Sequence, residues 1–469
     1  MMQVVNPART QSITRRQKPA RAHRLATAYL YSLAGVGLVA LTGVVTGVLS
    51  SRTLGPIGRG ELTALLLLPG LFGSLGNPGI SQAVGYLDAP SRNRSNPFAG
   101  AALIAAFGIG LILCLCLLPF LWLLLPNLPG NMLLPAAICL LAIPISFAYS
   151  AMRGSELASG HFRSYNLLQV CVGAGQVLFM LLFWGVGEAS AATFALAVVL
   201  AVSVVLLARV HIVVRLFLSG RVSCRAVVAV LRKMWEFTQP ELAGLVLLRC
   251  DVLLLAPLIS NERLGFYTVA LALAFGQAFI ASPMSQVCFH STSSAPDRES
   301  AVSMLARQFR IFQVLFFAVA VLGISIAPAL IRIAFGSKFV ASVPAARILI
   351  LSMAIWSCSQ ILEGGLRGLD LTRLCVLSNL LGLIVILSCS PWLVRTFGID
   401  GMAAAALGAQ VASLISKLWM LRLRTGCELR AFWAFSSSGV GEVVSTITTE
   451  IQVIFNSRRA ESLETVGSL

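Results

Sequence analysis

The sequence predicts an all-α polytopic membrane protein with about twelve transmembrane helices in two six-helix bundles. Composition is the first of three observations behind this. Of 469 residues, 57% are hydrophobic and 11% charged, with mean hydropathy +0.87, whereas soluble domains carry about 25% charged residues. The second is the recurrence, along the whole chain, of apolar runs of about 18 residues or more, each long enough to cross about 30 Å of hydrocarbon as a helix. The third is the placement of the basic residues, which changes with each run.

Residues 1–25 are a basic, polar arm, and the stretch from Leu25 to Ser50 is then apolar. A signal-peptide core is about 7–15 residues long, so this longer stretch reads as an uncleaved first span, 26–50. SRTLGPIGRGE, Ser51 to Glu61, is a polar, glycine-rich bend before the second span, 62–87. Further spans are expected at 98–125, 132–152, 165–185 and 190–211, completing a first bundle over 26–211. The loop at 212–236 contains RLFLSGRVSCRAVVAVLRKMW. Val227, Val228, Leu231 and Trp235 between basic residues predict a short amphipathic helix lying on the membrane surface, connecting two halves. A second bundle, 237–422, takes spans at 237–259, 264–289, 308–330, 345–366, 374–394 and 399–421. The polar tail, 423–469, is expected to leave the membrane.

Net charge is +17, from 31 Arg and 4 Lys against 18 acids. With the N-terminus inside, 26 of these 35 basic residues fall in cytoplasmic segments and six, namely Arg52, Arg59, Arg263, Arg332, Lys338 and Arg395, in external turns. This is the positive-inside asymmetry, and it places both termini in the cytoplasm. Nucleic-acid binding would need a soluble basic face, which the sequence lacks.

The halves resemble one another. An offset of 205 residues sets Pro78 against Pro283 and GELTAL (60–65) against GFYTVA (265–270), aligning Gly60 with Gly265 and Thr63 with Thr268. Arg153-Gly154 after the fourth span matches Arg367-Gly368 after the tenth, and Asn166 falls within one residue of Asn379. In order and on one side of the membrane, these matches predict two parallel six-helix repeats.

LSSRTLGPIGRGELTALLLLPGLFGSLG, LRCDVLLLAPLISNERLGFYTVALALA, FGSKFVASVPAARILILSMA and FGIDGMAAAALGAQV resemble, in order and spacing, segments of the bacterial oligosaccharide and polysaccharide flippases. That family belongs to the multidrug/oligosaccharidyl-lipid/polysaccharide exporter superfamily. The resemblance covers about 26–422. It implies two bundles around a cavity that opens alternately to each side, and a cargo glycan on a polyprenyl pyrophosphate moved from the inner to the outer leaflet of a bacterial inner membrane. Implied partners are membrane lipids and the polymerase and export machinery of the pathway; a monomer suffices, because the cavity lies within one chain.

Charge inside a bilayer costs about 2.5–3.5 kcal/mol per group, so such residues face a cavity or each other. Arg249 and Asp251 lie near the middle of the seventh span and, two apart on a helix, point in different directions. Arg249 is a candidate ligand for cargo phosphate, with Arg52 and Arg59 of the first bend as further cargo contacts. A structural ion pair for Arg249 stays open. Asp251, Glu363 and Glu61 are candidate ion-coupling or gate residues. The alternatives are a helix-helix lock for Asp251, an i,i+4 pair with Arg367 for Glu363, and a cap on the second helix for Glu61. Pro78 and Pro283 kink their helices and are candidate hinges or static kinks.

No pattern for catalysis is present. There is no phosphate-binding P-loop, the four histidines are scattered, and the eleven cysteines form no CxxC and no metal-spaced cluster with histidine. No metal or cofactor is expected. The longest external turn, Ile331 to Pro344, is short for a membrane glycan polymerase or glycosyltransferase. A drug/cation antiporter of the same superfamily is the nearer alternative, but it is expected to carry acids in the first bundle, and the first span has none. An inside-negative potential alone could drive an anionic headgroup outward, at about 2.3 kcal/mol per charge per 100 mV.

Overall fold

The computed structural model describes residues 7–88, 97–121, 126–159, 161–209, 211, 214 and 223–433, and all regular structure among them is helical. For the basic arm only a helical backbone from Pro7 is described; most of the connector before Ser223 and the tail after Trp433 lie outside the described residues.

Helix α1 (Pro7–Asp88) holds the first two spans and breaks at Gly55, whose φ of 67° suits glycine and few other residues. Then come α2 (Pro97–Leu117), the short α3 (Leu133–Leu140) running into α4 (Ala142–Ala158), α5 (Phe162–Gly185) and α6 (Ala191–Ala208). Ser190 starts α6 with a capping box shared with Thr193. The second repeat has α7 (Cys224–Leu255), α8 (Asn261–Ala274), α9 (Ala278–Ser293), α10 (Arg298–Leu330), α11 (Val343–Gly368) and α12 (Thr372–Thr425). A 3-10 turn at Phe275–Gln277 separates α8 from α9. Asp297 caps α10 by accepting from the Ser300 hydroxyl at 3.0 Å and the Ser300 amide at 2.7 Å, bonds that hold its carboxyl below the ordinary range. Like α1, α12 is a bent pair, broken at Gly398 with φ 59°.

Among the described residues nine stretches are long and apolar enough to span a membrane. Gly37–Leu87 and Thr372–Thr425 each hold two spans, and α7 adds one whose charges, Arg249 and Asp251 among them, keep it out of the nine. Together these are the twelve spans the sequence predicts. In the described part of the connector, the residues expected to form a short surface helix, Val227 to Trp235, belong instead to α7, which runs unbroken from Cys224 into the seventh span. Val228 and Trp235, on its first turns, are exposed.

The chain packs into two compact units, Met1–Val269 with Ala334–Phe339, and Ala270–Ile333 with Val340–Leu469. In the first, α1 lies against α4, α5 and α7, and α2 against α4. Small residues permit this packing: Ala99, Ala101, Ala102 and Ala106 of α2 are buried. In lipid, where apolar surface gains little from leaving the solvent, close backbone approach of this kind drives helix association. In the second unit α11 is central, packed on α9, α10 and α12. Its buried residues recur with helical period from Ala345 to Leu366.

Candidate functional site

Four connections, after the first, third, seventh and ninth spans, fall at one end of the bundle by the alternation of the chain, and in the first unit they interlock. Gly60 lies so close to the second repeat that a Cβ there would sit 1.7 Å from the carbonyl oxygen of Asn261. A Cβ on Gly265 would sit 2.0 Å from the carbonyl oxygen of Pro56. The hydroxyls of Thr63 and Thr268 are 3.4 Å apart, and these residues are separated by the same 205 positions that align the repeats. Residues matched in sequence therefore touch one another, as they must where a two-fold relation passes through a contact. Asn127 reinforces this end by donating to the carbonyl oxygens of Ala256, Pro257 and Ile259, at 3.2, 3.3 and 2.8 Å. Asn261 in turn donates to the Asn127 carbonyl at 3.0 Å.

The first bend sits beside this crossing. Arg52 is exposed and donates through Nε to the Ala334 carbonyl at 2.8 Å. Arg59 donates to Ser50 Oγ at 2.6 Å, while its Nε is buried without a hydrogen-bond partner. Glu61 is half-buried at the start of the second limb of α1. Pro78 lies within that limb and its side chain is outside the described residues; Pro283 lies inside α9, beyond the Phe275–Gln277 turn.

In α7, Arg249 is exposed and Asp251 buried, so their opposed directions place them in different surroundings. Asp251 accepts from the Tyr267 hydroxyl at 2.6 Å and from the Val252 amide at 2.7 Å. Tyr267 is fully buried, and its bond ties α7 to α8. Both contacts donate to Asp251, which suits a carboxylate acting purely as acceptor.

In the second unit Glu363 is held more tightly than an i,i+4 pair would hold it. Arg367 Nη2 is 3.6 Å from Glu363 Oε2, but Lys417 Nζ is 2.9 Å from Oε1. Lys417, 1% exposed, also donates to Ser359 Oγ at 2.6 Å and to Asn379 Oδ1 and Ser413 Oγ at 2.8 Å each. Asn379 Nδ2 donates to Glu363 Oε1 at 3.1 Å. The cluster joins α11 to both limbs of α12, and Glu363, Lys417 and Asn379 each have more than one partner in it. A buried ion pair persists in an apolar medium only on such terms.

The candidate residues thus divide: Arg52, Arg59 and Glu61 lie at the bend, Arg249 and Asp251 on α7, and Glu363 in the second unit. Reading the sequence missed Tyr267, Lys417, Ser359 and Ser413 as partners. Lys417 was visible as a cation within a span, which by itself demands an acid, and Asn379 as a repeat match; the distances between them along the chain hid the cluster. Among the described residues no group of three or more His, Cys, Asp or Glu is placed to hold a metal ion.

No curated protein matches the chain in sequence. Solved structures resemble it in fold. The lipid II flippase MurJ in an inward closed conformation is 13% identical, with a TM-score of 0.72 over 90% of this chain and 93% of that one. An inward-facing multidrug resistance MATE family transporter of the MOP superfamily is 15% identical, with TM-score 0.68 over 84% and 95%. The eukaryotic MATE transporter AtDTX14 is 13% identical, with TM-score 0.62 over 87% and 98%. The two-bundle, twelve-helix fold of these proteins is the fold of this chain. A sequence family model described as polysaccharide biosynthesis protein matches residues 51–344, more than half of the chain, and the chain belongs to that family.

Proposed function

We propose that this chain is a flippase that moves a polyprenyl-pyrophosphate-linked oligosaccharide from the inner to the outer leaflet by alternating access, in surface polysaccharide biosynthesis. The observation that carries the reading is membership of a polysaccharide biosynthesis family by a chain whose fold resembles a lipid II flippase. Its halves are the repeats 26–211 and 237–422, joined by the connector 212–236 and flanked by the arm 1–25 and the tail 423–469. Both termini lie in the cytoplasm of a bacterial cell whose inner membrane the protein spans, and a monomer does the work alongside the polymerase and export machinery.

In this reading the crossing of Gly60 and Gly265 closes the external end. Arg249, exposed in the seventh span, takes the cargo's phosphates in its planar fork, and Arg59, with one donor unused, and Arg52 meet them at the bend. Asp251 is the coupling group: a proton placed on it removes the charge to which the Tyr267 hydroxyl donates, weakening the tie between α7 and α8. Glu363 already has a resident cation in Lys417, so its role is to hold the tenth, eleventh and twelfth spans together. Glu61 is a gate acid beside the crossing, and Pro78 and Pro283 are the hinges of the second and eighth spans.

The test is lipid-linked glycan in cells lacking the protein, located by leaflet-specific labelling in spheroplasts. Complete repeat units should accumulate on the cytoplasmic side, relieved by the wild type and not by Arg249→Ala at equal protein level. Single units building up on the outer side would indicate a polymerase instead. The MATE-like fold supports a second reading, a drug/cation antiporter; unchanged glycan together with lost drug efflux would select it.

A further inference from the structure

We infer that Arg153 is the core of a buried site for a lipid phosphate group, in the first repeat at the end of the bundle opposite the Gly60–Gly265 crossing. The inference deepens the flippase reading and rests on it only for the identity of the lipid. Arg153 is 4% exposed in α4. Its Nη2 donates to Gln169 Oε1 at 3.0 Å, and its guanidinium carbon lies 4.2 Å from the ring centre of Tyr165 and 5.7 Å from that of Tyr149. These partners are neutral. Among the described residues no acid pairs with it; Glu156, one turn away, lies 3.4 Å from His161 Nδ1 instead.

The surroundings carry the same signature of a missing partner. Arg153 Nε, Tyr149 Oη, Ser164 Oγ and Ser81 Oγ are all buried without a hydrogen bond. They belong to three neighbouring elements. Ser81 of α1 adjoins Gly154, whose Cβ would lie 2.9 Å from the Ser81 Cα, and Ser164 precedes Tyr165 on α5. Native proteins leave few such atoms, because each buried polar group without a partner keeps its desolvation penalty. A buried cation beside an unpaired phenol, with two further unbonded hydroxyls on the adjoining helices, is chemistry that can receive phosphate oxygens.

The second repeat shows what is missing. The offset that sets Arg153 on Arg367 sets Tyr149 on Glu363. Arg367 has that acid 3.6 Å away, whereas the first repeat puts a phenol in its place. An arginine at the matched position without that internal acid can take an anion from outside. Arg163, next to Ser164 in sequence, and His161, at the start of α5, are exposed.

The experiment measures retention of three lipids by purified full-length protein in native mass spectrometry: a polyprenyl diphosphate, phosphatidylglycerol, and phosphatidylcholine, whose choline neutralises its phosphate. Arg153→Gln should weaken retention of an anionic lipid at least tenfold and leave phosphatidylcholine unchanged. Tyr149→Glu, which gives Arg153 the acid its counterpart has, should do the same with a melting temperature no lower than wild type; it decides the matter if Arg153→Gln fails to fold. Loss confined to the polyprenyl diphosphate assigns the site to the carrier lipid, and loss confined to phosphatidylglycerol assigns it to the bilayer. Equal retention of both anionic lipids by the variants and the wild type overturns the inference. Because no transport is measured, this result stands apart from the glycan assay. A flippase without the site, or the site without flippase activity, would each be recognised.

Discussion

The repeats correspond in two places, and the two places behave oppositely. At the crossing, Gly60 meets Asn261 and Gly265 meets Pro56, with Thr63 and Thr268 face to face, so both copies keep the glycine and the threonine, while the facing positions Pro56 and Asn261, which contribute only backbone carbonyls to the glycines, differ. At the ends of the fourth and tenth spans, one copy has Glu363, Arg367 and Lys417 in an ion cluster, and the other has Arg153 between two tyrosines beside an apolar cluster of Tyr149, Met152, Leu168 and Val202. The difference is a matter of what each place packs against. A backbone crossing in which each side's carbonyl occupies the other side's Cβ position leaves neither copy free to change. A cluster internal to its own repeat needs only internal satisfaction, and the halves can diverge there without disturbing each other.

The crossing is broken most directly by fixing it shut. In a Thr63→Cys/Thr268→Cys variant, oxidation with copper phenanthroline should join the two positions and reduce transport of lipid-linked glycan to the level of cells lacking the protein, with recovery on reduction. Single-cysteine variants control for the native cysteines. Transport at the wild-type rate by the fully cross-linked protein would show that this end need not open.

The next effect tests the ion cluster. Lys417→Met removes the nearer cation and leaves Glu363 buried with neutral donors and with Arg367, at 3.6 Å, as its remaining charged partner, which should cost about 3–5 kcal/mol. The readout is thermal unfolding of the purified protein. Adding Glu363→Gln to Lys417→Met should restore most of the loss, because a neutral amide has no charge to compensate. A cluster that merely fills space would show no such recovery.

Much of this architecture was legible in the sequence. The spans are carried by apolar runs, and the bends at Gly55 and Gly398 by local glycine chemistry, both properties of neighbouring residues. The alignment of Gly60 with Gly265 was visible as a repeat, although nothing in one dimension says that repeat-matched residues touch. The site was less legible. Asp251 announced itself as a charge in a span, but its partner Tyr267 sat unremarked inside the matched GFYTVA segment; Lys417 reaches Ser359 across 58 positions. The continuity of α7 was also missed, because the drop from basic to apolar composition near Trp235 marks a change of surroundings and not a change of backbone.

Asp251 offers a smaller test of divergence. At the repeat offset, Asp251 and Tyr267 fall on Thr46 and Leu62, so the pair belongs to the second copy alone. Tyr267→Phe keeps the ring and removes the donor, leaving one carboxylate oxygen short of a partner at about 1–3 kcal/mol. If Asp251 couples transport to protons, the same change should shift the pH at which glycan transport is half-maximal. A lowered melting temperature with an unmoved pH profile would make the pair a helix lock.

The smallest effect is expected where the repeats share their arginine. Arg367 is 27% exposed at its side chain and lies 3.6 Å from a carboxylate that Lys417 already neutralises at 2.9 Å. Arg367→Gln should therefore cost less than about 1 kcal/mol, as partly solvated pairs do, and leave anionic-lipid retention as it was. Arg153→Gln should do the reverse and change retention. The two substitutions are chemically identical and fall on matched positions, so a contrast between them comes from their surroundings, a carboxylate beside one arginine and tyrosines around the other. If Arg367→Gln weakened lipid retention as much as Arg153→Gln, that acid would not be what separates the two sites.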